Sequence, residues 1–317
     1  MGKLLYLGSS KFSQMMNTER WQLTQGIRKN NNIIFIDVDT LVGERPDLFK
    51  IWDTNNRPDA ILFEDHEWVW KLKLPKEYSN INKVPVPKWA FIADYWYELN
   101  EKKEYFQKNN ISGLLALHQS SYPYIKRNFK NITKIASIPF TIDSNEFPSS
   151  IQPKEYDVLC SGFMGDLYPL RGRIRDILKK TKTIKSYFLE HPGYWKKGEK
   201  IGIRGSEFYA LMSKAKYVLT TTGVHNISVR KHLEAIGARS KIIGNVTGYP
   251  EHRLISKFVL TIEPNMSDVE IVSKIKESAD NWSWKDLDEK RRNYVIKTHD
   301  PFYVASMISQ KLLRKEI

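Results

Sequence analysis

Residues 155–180 read EYDVLCSGFMGDLYPLRGRIRDILKK. Glu155–Ser161 is a short strand candidate, Gly162 ends it, and a helix is expected from about Leu170 to Lys180. Strand, glycine turn and helix together open a βαβ unit. Downstream the rhythm repeats. Lys185–Leu189, Tyr217–Thr221, Lys241–Ile243 and Phe258–Ile262 are the next strand candidates, with helices near Ser206–Lys214, Val229–Ala238, Ser267–Asp280 and Trp284–Ile296. Upstream, Lys3–Leu7 runs into Gly8, Asn32–Val38 (NIIFIDV) is β-branched, and Asp59–Phe63, Lys88–Ala93 and Gly113–Leu117 are further strands. Helical stretches cover Asn17–Lys29 and Glu98–Lys108.

Between the two series lies IPFTIDSNEFPSSIQP, residues 138–153, whose three prolines and three serines read as an interdomain linker. The expected fold class is therefore α/β, with two doubly wound parallel-sheet domains at 1–150 and 151–300. Residues 301–317 hold a last helix expected to reach back to the first domain. Two such domains are expected to face each other across a cleft, with ligands outside the carboxyl ends of the strands.

The 317 residues are 41% hydrophobic and 27% charged, which excludes global disorder and fibrous classes. One cysteine, Cys160, excludes an internal disulfide framework and a cysteine-rich zinc module, and fits a reducing, cytoplasmic setting. No apolar run approaches a membrane span, and MGKLLYLGSS is too short in its apolar part for a signal peptide. Tyr6 stands where a myristoylation signal needs Ser or Thr. The net charge is +14 and unevenly spread. Residues 1–150 carry 20 basic and 17 acidic side chains, and residues 151–317 carry 30 and 19. A polyanionic partner of the second half is one reading: a nucleotide diphosphate, a nucleic acid or peripheral contact with an anionic surface. Solvated lysines on helix faces are the other.

Several segments, in order, carry a family resemblance. They are IPFTIDSNEF (138–147), YDVLCSGFMGDLYPLR (156–171), GSEFYALMSKAKYVLTTTG (205–223), VRKHLEAIGARSKIIGN (229–245), EPNMSDVEIVSKI (263–275) and KTHDPFYVASMI (297–308). The second half resembles the nucleotide-sugar domain of GT-B fold glycosyltransferases, especially the CgeB-like (spore-maturation) family. PKWAFIADYWYE (87–98) more distantly resembles the strand bearing the base aspartate in phage DNA β-glucosyltransferases. The resemblance implies two Rossmann-like domains and transfer of a sugar from a nucleotide diphosphate-sugar, most simply a UDP-sugar. It implies no further cofactor and no bound metal. The implied acceptor is a hydroxyl on a glycan, glycolipid or protein, or alternatively on hydroxymethylated DNA bases. A non-catalytic nucleotide- or nucleic-acid-binding protein is the alternative of another class.

Charge builds on the diphosphate as the glycosidic bond breaks, so preorganised cations there stabilise the transition state. Arg171 and Arg173, beyond the Gly162 turn, have the planar fork for phosphate; the ordinary alternative is two helix-surface charges. By resemblance Glu234 accepts the ribose hydroxyls and Lys231 meets the diphosphate, with Arg230 the alternative if the register shifts by one. Thr220–Gly223, notably Thr222 and Gly223, offer N–H groups and hydroxyls to phosphate. His191 and Gly193 border the base or diphosphate, although a lone His is more often structural. Retaining enzymes of the E-x7-E pattern carry a second Glu where Asn226 stands, which puts retention of configuration in doubt. Asp94, just past a strand end, suits the general base of an inverting reaction, with His118 the second candidate. Tyr95 and Trp96 are candidates to stack on a sugar or base, or else pack as core. Gly8, Ser9 and Ser10 form the loop after the first strand, next to donor sugar or acceptor. Asp37-Val38-Asp39 spells the D-x-D used for metal by glycosyltransferases of another fold, which the rest of the chain does not fit.

Overall fold

The computed structural model describes residues 2–14, 18–41, 45–190, 203, 205–248 and 253–313. The chain divides into two compact units, Met1–Thr141 with Asp300–Ile317, and Ile142–His299.

The first unit runs β1 (Leu4–Gly8), α1 (Thr18–Arg28), β2 (Ile33–Asp37), α2 (Leu48–Thr54), β3 (Ala60–Phe63), α3 (His66–Lys71), β4 (Lys88–Ile92), α4 (Leu99–Lys108), β5 (Gly113–Ala116), α5 (Tyr122–Asn128) and β6 (Lys134–Ser137). The second runs β7 (Tyr156–Cys160), α6 (Pro169–Lys180), β8 (Ser186–Phe188), α7 (Gly205–Ser213), β9 (Ala215–Thr220), α8 (Lys231–Gly237), β10 (Lys241–Gly244), α9 (Arg253–Ser256), β11 (Val259–Thr261), α10 (Asp268–Asp280) and α11 (Glu289–Thr298). The last helix, α12 (Pro301–Leu313), belongs to the first unit.

The sheets are ordered β2-β1-β3-β4-β5-β6 and β11-β10-β9-β7-β8, with every pairing parallel. Counted from its own first strand, each begins with the doubly wound order 2-1-3-4-5. The order therefore reverses between β1 and β3 in one unit and between β7 and β9 in the other. Ligands bind outside the carboxyl ends at such switch points.

Both faces of the first sheet are covered, which is why its strands are continuous apolar runs. Leu4, Tyr6, Leu62, Trp89, Phe91 and Leu115 share one core with Leu23 and Ile27 of α1 and Val304, Ile308 and Leu312 of α12. Gly26 permits the close crossing of α1 and α12, because a Cβ there would lie 2.1 Å from the Pro301 carbonyl oxygen. In the second sheet Val158, Cys160, Tyr217 and Leu219 pack with Ile174 and Leu178 of α6 and Ile271 and Ile275 of α10. Ser267 caps α10 through a reciprocal box with Glu270.

Three departures from the sequence reading have local causes. The strand β6 is a four-residue KIAS, too short and polar to stand out. The expected helix at Trp284–Ile296 breaks into a 3-10 turn, Trp284–Asp286, and α11, which starts where the Asp288 carboxylate accepts from the Arg291 N–H. The Pro/Ser-rich segment is anchored, for Phe147 is buried and stacks on Tyr209 with ring centres 4.4 Å apart.

Candidate functional site

The turn after β7 and the turn after β9 meet at the second unit's switch point. Gly162 has φ +92°, a left-handed backbone that favours glycine. Lys231, first residue of α8, donates from Nζ to the Ser161 carbonyl at 2.7 Å and to Ser161 Oγ at 3.2 Å. Arg171 of α6 is buried and donates to the carbonyls of Phe163 (3.1 Å) and Thr221 (3.0 Å) and to Thr220 Oγ1 (3.4 Å). Its guanidinium lies 4.0 Å above the Tyr168 ring. Both cationic heads flank Gly162: a Cβ there would be 2.1 Å from Lys231 Nζ and 3.6 Å from Arg171 Nη1.

Burial, and then the Arg171 charge, push the Lys231 amine down to about 7. Among the described residues no carboxylate pairs with Lys231 within 4.0 Å. Two like charges flanking one buried turn favour an anion beside them, because each cationic head raises the cost of burying the other.

Glu234 sits one turn along α8 and is 9% exposed. Tyr209 Oη donates to Glu234 Oε1 (3.2 Å), and Arg230 Nη2 donates to Tyr209 Oη (3.1 Å). Arg230 Nε stands 3.5 Å from the same Oε1. Arg230 is thus engaged with Glu234 and Tyr209, and Lys231 is the basic residue at Gly162. The Thr222 N–H donates to Asn245 Oδ1 at 2.9 Å, which holds the β9 turn against the end of β10. His232 secures that brace. Its Nε2 is 2.9 Å from the Asn245 carbonyl, and its Nδ1 lies 2.9 Å from the Val229 carbonyl and 3.2 Å from the Val229 N–H. The two carbonyls favour the protonated ring, but burial outweighs them and pushes His232 down to about 4. A Cβ on Gly223 would come within 3.0 Å of the Leu167 carbonyl, so the two turns touch here.

Arg173 departs from expectation. Two positions along α6 from Arg171, it turns to the opposite side and binds Asp268 Oδ1 (2.6 Å) and the carbonyls of Pro264 (2.8 Å) and Met266 (2.7 Å). It pins the start of α10 rather than joining Arg171. Asn226 is exposed with φ +52° after the Gly223 turn. His191 and Gly193 lie outside the described residues.

In the first unit Gly8 ends β1, where a Cβ would strike the Tyr6 ring at 2.4 Å. Ser9 donates to the Asp39 carboxylate, and Asp37 Oδ1 accepts from the N–H groups of Ser10 (3.2 Å) and Asp39 (3.2 Å). Lys11 pairs with Asp39 at 2.7 Å. The D-x-D carboxylates therefore organise the loop after β1. Beneath it Glu64, at the end of β3, accepts from Tyr6 Oη and the Asp65 N–H and lies 3.6 Å from Arg20 Nε, all four buried.

Asp94 follows β4. Its carbonyl accepts from Lys102 Nζ (2.5 Å) and the Tyr97 N–H (3.0 Å). Its carboxylate has no hydrogen-bond or ion-pair partner among the described residues and stays partly exposed. Burial and then Glu67 push it up to about 7, against the pull of Lys102. Tyr95 is buried against Trp96 and Tyr124, so it is core; Trp96 is half-buried. His118 is buried with its ring on Phe140, and burial pushes it down to about 4, which makes it a feeble base.

Ser161, Tyr168, Tyr209 and Asn245 escaped the sequence reading as site residues. All four lie in segments already singled out, but their partners Lys231, Glu234 and Thr222 stand 70, 25 and 23 residues away from Ser161, Tyr209 and Asn245, so sequence proximity carries no signal for those three; only Tyr168 is near its partner, Arg171.

No family model matches the chain, and no curated protein sequence matches it. Solved structures do. A glycosyltransferase from Rickettsia africae matches at TM-score 0.59 and 12% identity, covering 99% of each chain. Anabaena Alr3699/HepE in complex with UDP matches at 0.61 and 12%, covering 98% of this chain and 99% of that one. A sucrose-phosphate synthase from Thermosynechococcus elongatus matches at 0.57 and 13%, covering 83% and 75%. The fold class is the expected one: α/β, with two doubly wound parallel sheets, as in GT-B glycosyltransferases. Among the described residues no helix is long and apolar enough to cross a membrane.

Proposed function

We propose that the protein is a glycosyltransferase that moves a sugar from a nucleotide diphosphate-sugar to an acceptor hydroxyl. The observation that carries this is the pair Lys231 and Arg171 flanking Gly162 at the switch point of the second sheet. In this reading the diphosphate sits against Lys231 and Arg171. The N–H groups of the Thr222–Gly223 turn approach it, and Glu234, held by Tyr209 and Arg230, takes the ribose hydroxyls. Arg173 is assigned no contact with the donor. UDP is the favoured nucleotide, since the related fold of Alr3699/HepE is known with UDP, with UDP and glucose, and with UDP-glucose. The resemblance to CgeB-like enzymes points the same way.

The first unit is assigned the acceptor and Asp94 the general base. The acceptor oxygen attacks the anomeric carbon, its proton passes to Asp94, and the bond to the diphosphate breaks with its electron pair leaving on phosphate. Asn226 lacks the charge of a second Glu, which supports a single displacement. Glycan, glycolipid or protein hydroxyls are the favoured acceptors. DNA with hydroxymethylated bases is the second reading, favoured by the basic excess of residues 151–317; binding that weakens steeply with salt would support it.

A thermal-shift panel of UDP, GDP, ADP and CDP tests the donor site. One nucleotide, UDP first, raises the midpoint. No shift with any of the four would overturn the assignment.

A further inference from the structure

Asp65 lies in the turn between β3 and α3 and is fully buried. Its two carboxylate oxygens hold two different elements. Oδ1 accepts from the Glu67 N–H at 2.9 Å, capping α3, and Oδ2 accepts from the Ala93 N–H at 2.6 Å, at the end of β4. Ala93 immediately precedes Asp94. The other backbone groups here are also taken: the Ala93 carbonyl by the Tyr95 N–H at 3.0 Å, the Asp94 carbonyl by Lys102 and Tyr97. Asp94 thus emerges from a backbone held on every side, while its carboxylate is left open.

We propose that Asp65 is the positioning residue for Asp94, a buried two-ended clamp that sets where the Asp94 carboxylate stands. The proposal rests on the reading of Asp94 as base. Capping alone needs one oxygen, and Ser, Thr or Asn would serve. The second oxygen, on Ala93, is what a carboxylate adds. Its charge also faces Asp94, together with Glu67 and Lys71 of α3 and Lys102 of α4. Asp65 and Glu67 hold the Asp94 proton on; Lys71 and Lys102 draw it off.

The test is the titration of Asp94 in the full chain, followed by carboxyl-carbon NMR with the signal assigned by its loss in Asp94→Asn. Asp65→Asn and Asp65→Ser are compared with the parent. Ser keeps an oxygen for the Glu67 N–H but cannot also hold Ala93, so α3 stays capped while the clamp opens. In both variants the Asp94 midpoint is expected to fall toward the ordinary carboxylate range, a change of roughly a few-fold in proton affinity. An unchanged midpoint in folded Asp65→Ser would overturn the proposal. Turnover retained in Asp94→Asn would instead overturn the base assignment, whatever Asp65 does to the midpoint.

Discussion

Lys231 Nζ reaches from the first turn of α8 to the Ser161 carbonyl at the end of β7, 2.7 Å away and 70 residues earlier in the chain. The amine is delivered to the turn where β7 and β9 diverge, and it arrives partly discharged. Its titration near 7 gives the site a proton that a diphosphate can recruit.

Nucleotide affinity should therefore depend on pH in a definite sense. The diphosphate is ionised throughout pH 7.5–9, while Lys231 is increasingly neutral. Binding then requires proton uptake, and Kd for UDP should rise by up to about tenfold per pH unit. Calorimetry in buffers of different ionisation enthalpy reads the uptake directly. In the free protein the sign is opposite. Between about 7 and the ordinary lysine range the unfolded chain holds a proton that the folded chain does not, so this group adds stability as pH rises. A Lys231→Met variant should lose both dependences.

Gly162→Ala should separate binding from stability. Alanine at φ +92° costs about 1–2 kcal/mol, and its methyl meets Lys231 Nζ, the mobile end of a flexible side chain. The amine is displaced from Ser161, so UDP affinity should fall at least tenfold with a modest drop in melting temperature. Unaltered affinity would place the diphosphate elsewhere.

Arg171 and Arg173 should behave as opposites. Arg173→Ala removes an exposed ion pair with Asp268 and two bonds to carbonyls, costing about 1 kcal/mol of stability and leaving UDP affinity alone. Arg171→Ala should weaken UDP binding. Equal effects on affinity would return Arg173 to the donor site.

Glu234→Ala should weaken UDP binding by roughly tenfold and release Tyr209 and Arg230. Replacing UDP by its 2′-deoxy analogue should reproduce the loss in the parent but add nothing in the variant. Additive losses would assign the ribose to another residue.

Asp94→Asn should leave UDP affinity unchanged and lower turnover of a UDP-sugar by about 10²–10⁴. Asp94 works as a base only when ionised, so kcat in the parent should rise with pH through about 7. A flat profile across pH 6–8 would assign the proton transfer elsewhere.

Residues 155–180 already contained the strand, the glycine turn and the helix, because apolar periodicity and turn chemistry are local properties of the chain. Arg171, Lys231 and Glu234 were singled out through short segments in order. Arg171 and Arg173 could not be told apart before their partners were known. One meets Thr221, 50 residues on, and the other Asp268, 95 residues on. The same is true of Asp65, whose bond to Ala93 spans 28 residues and joins the ends of the neighbouring strands β3 and β4. Strand order decides those meetings. A parallel sheet brings the ends of distant strands side by side, and side chains take their partners from what the order sets next to them.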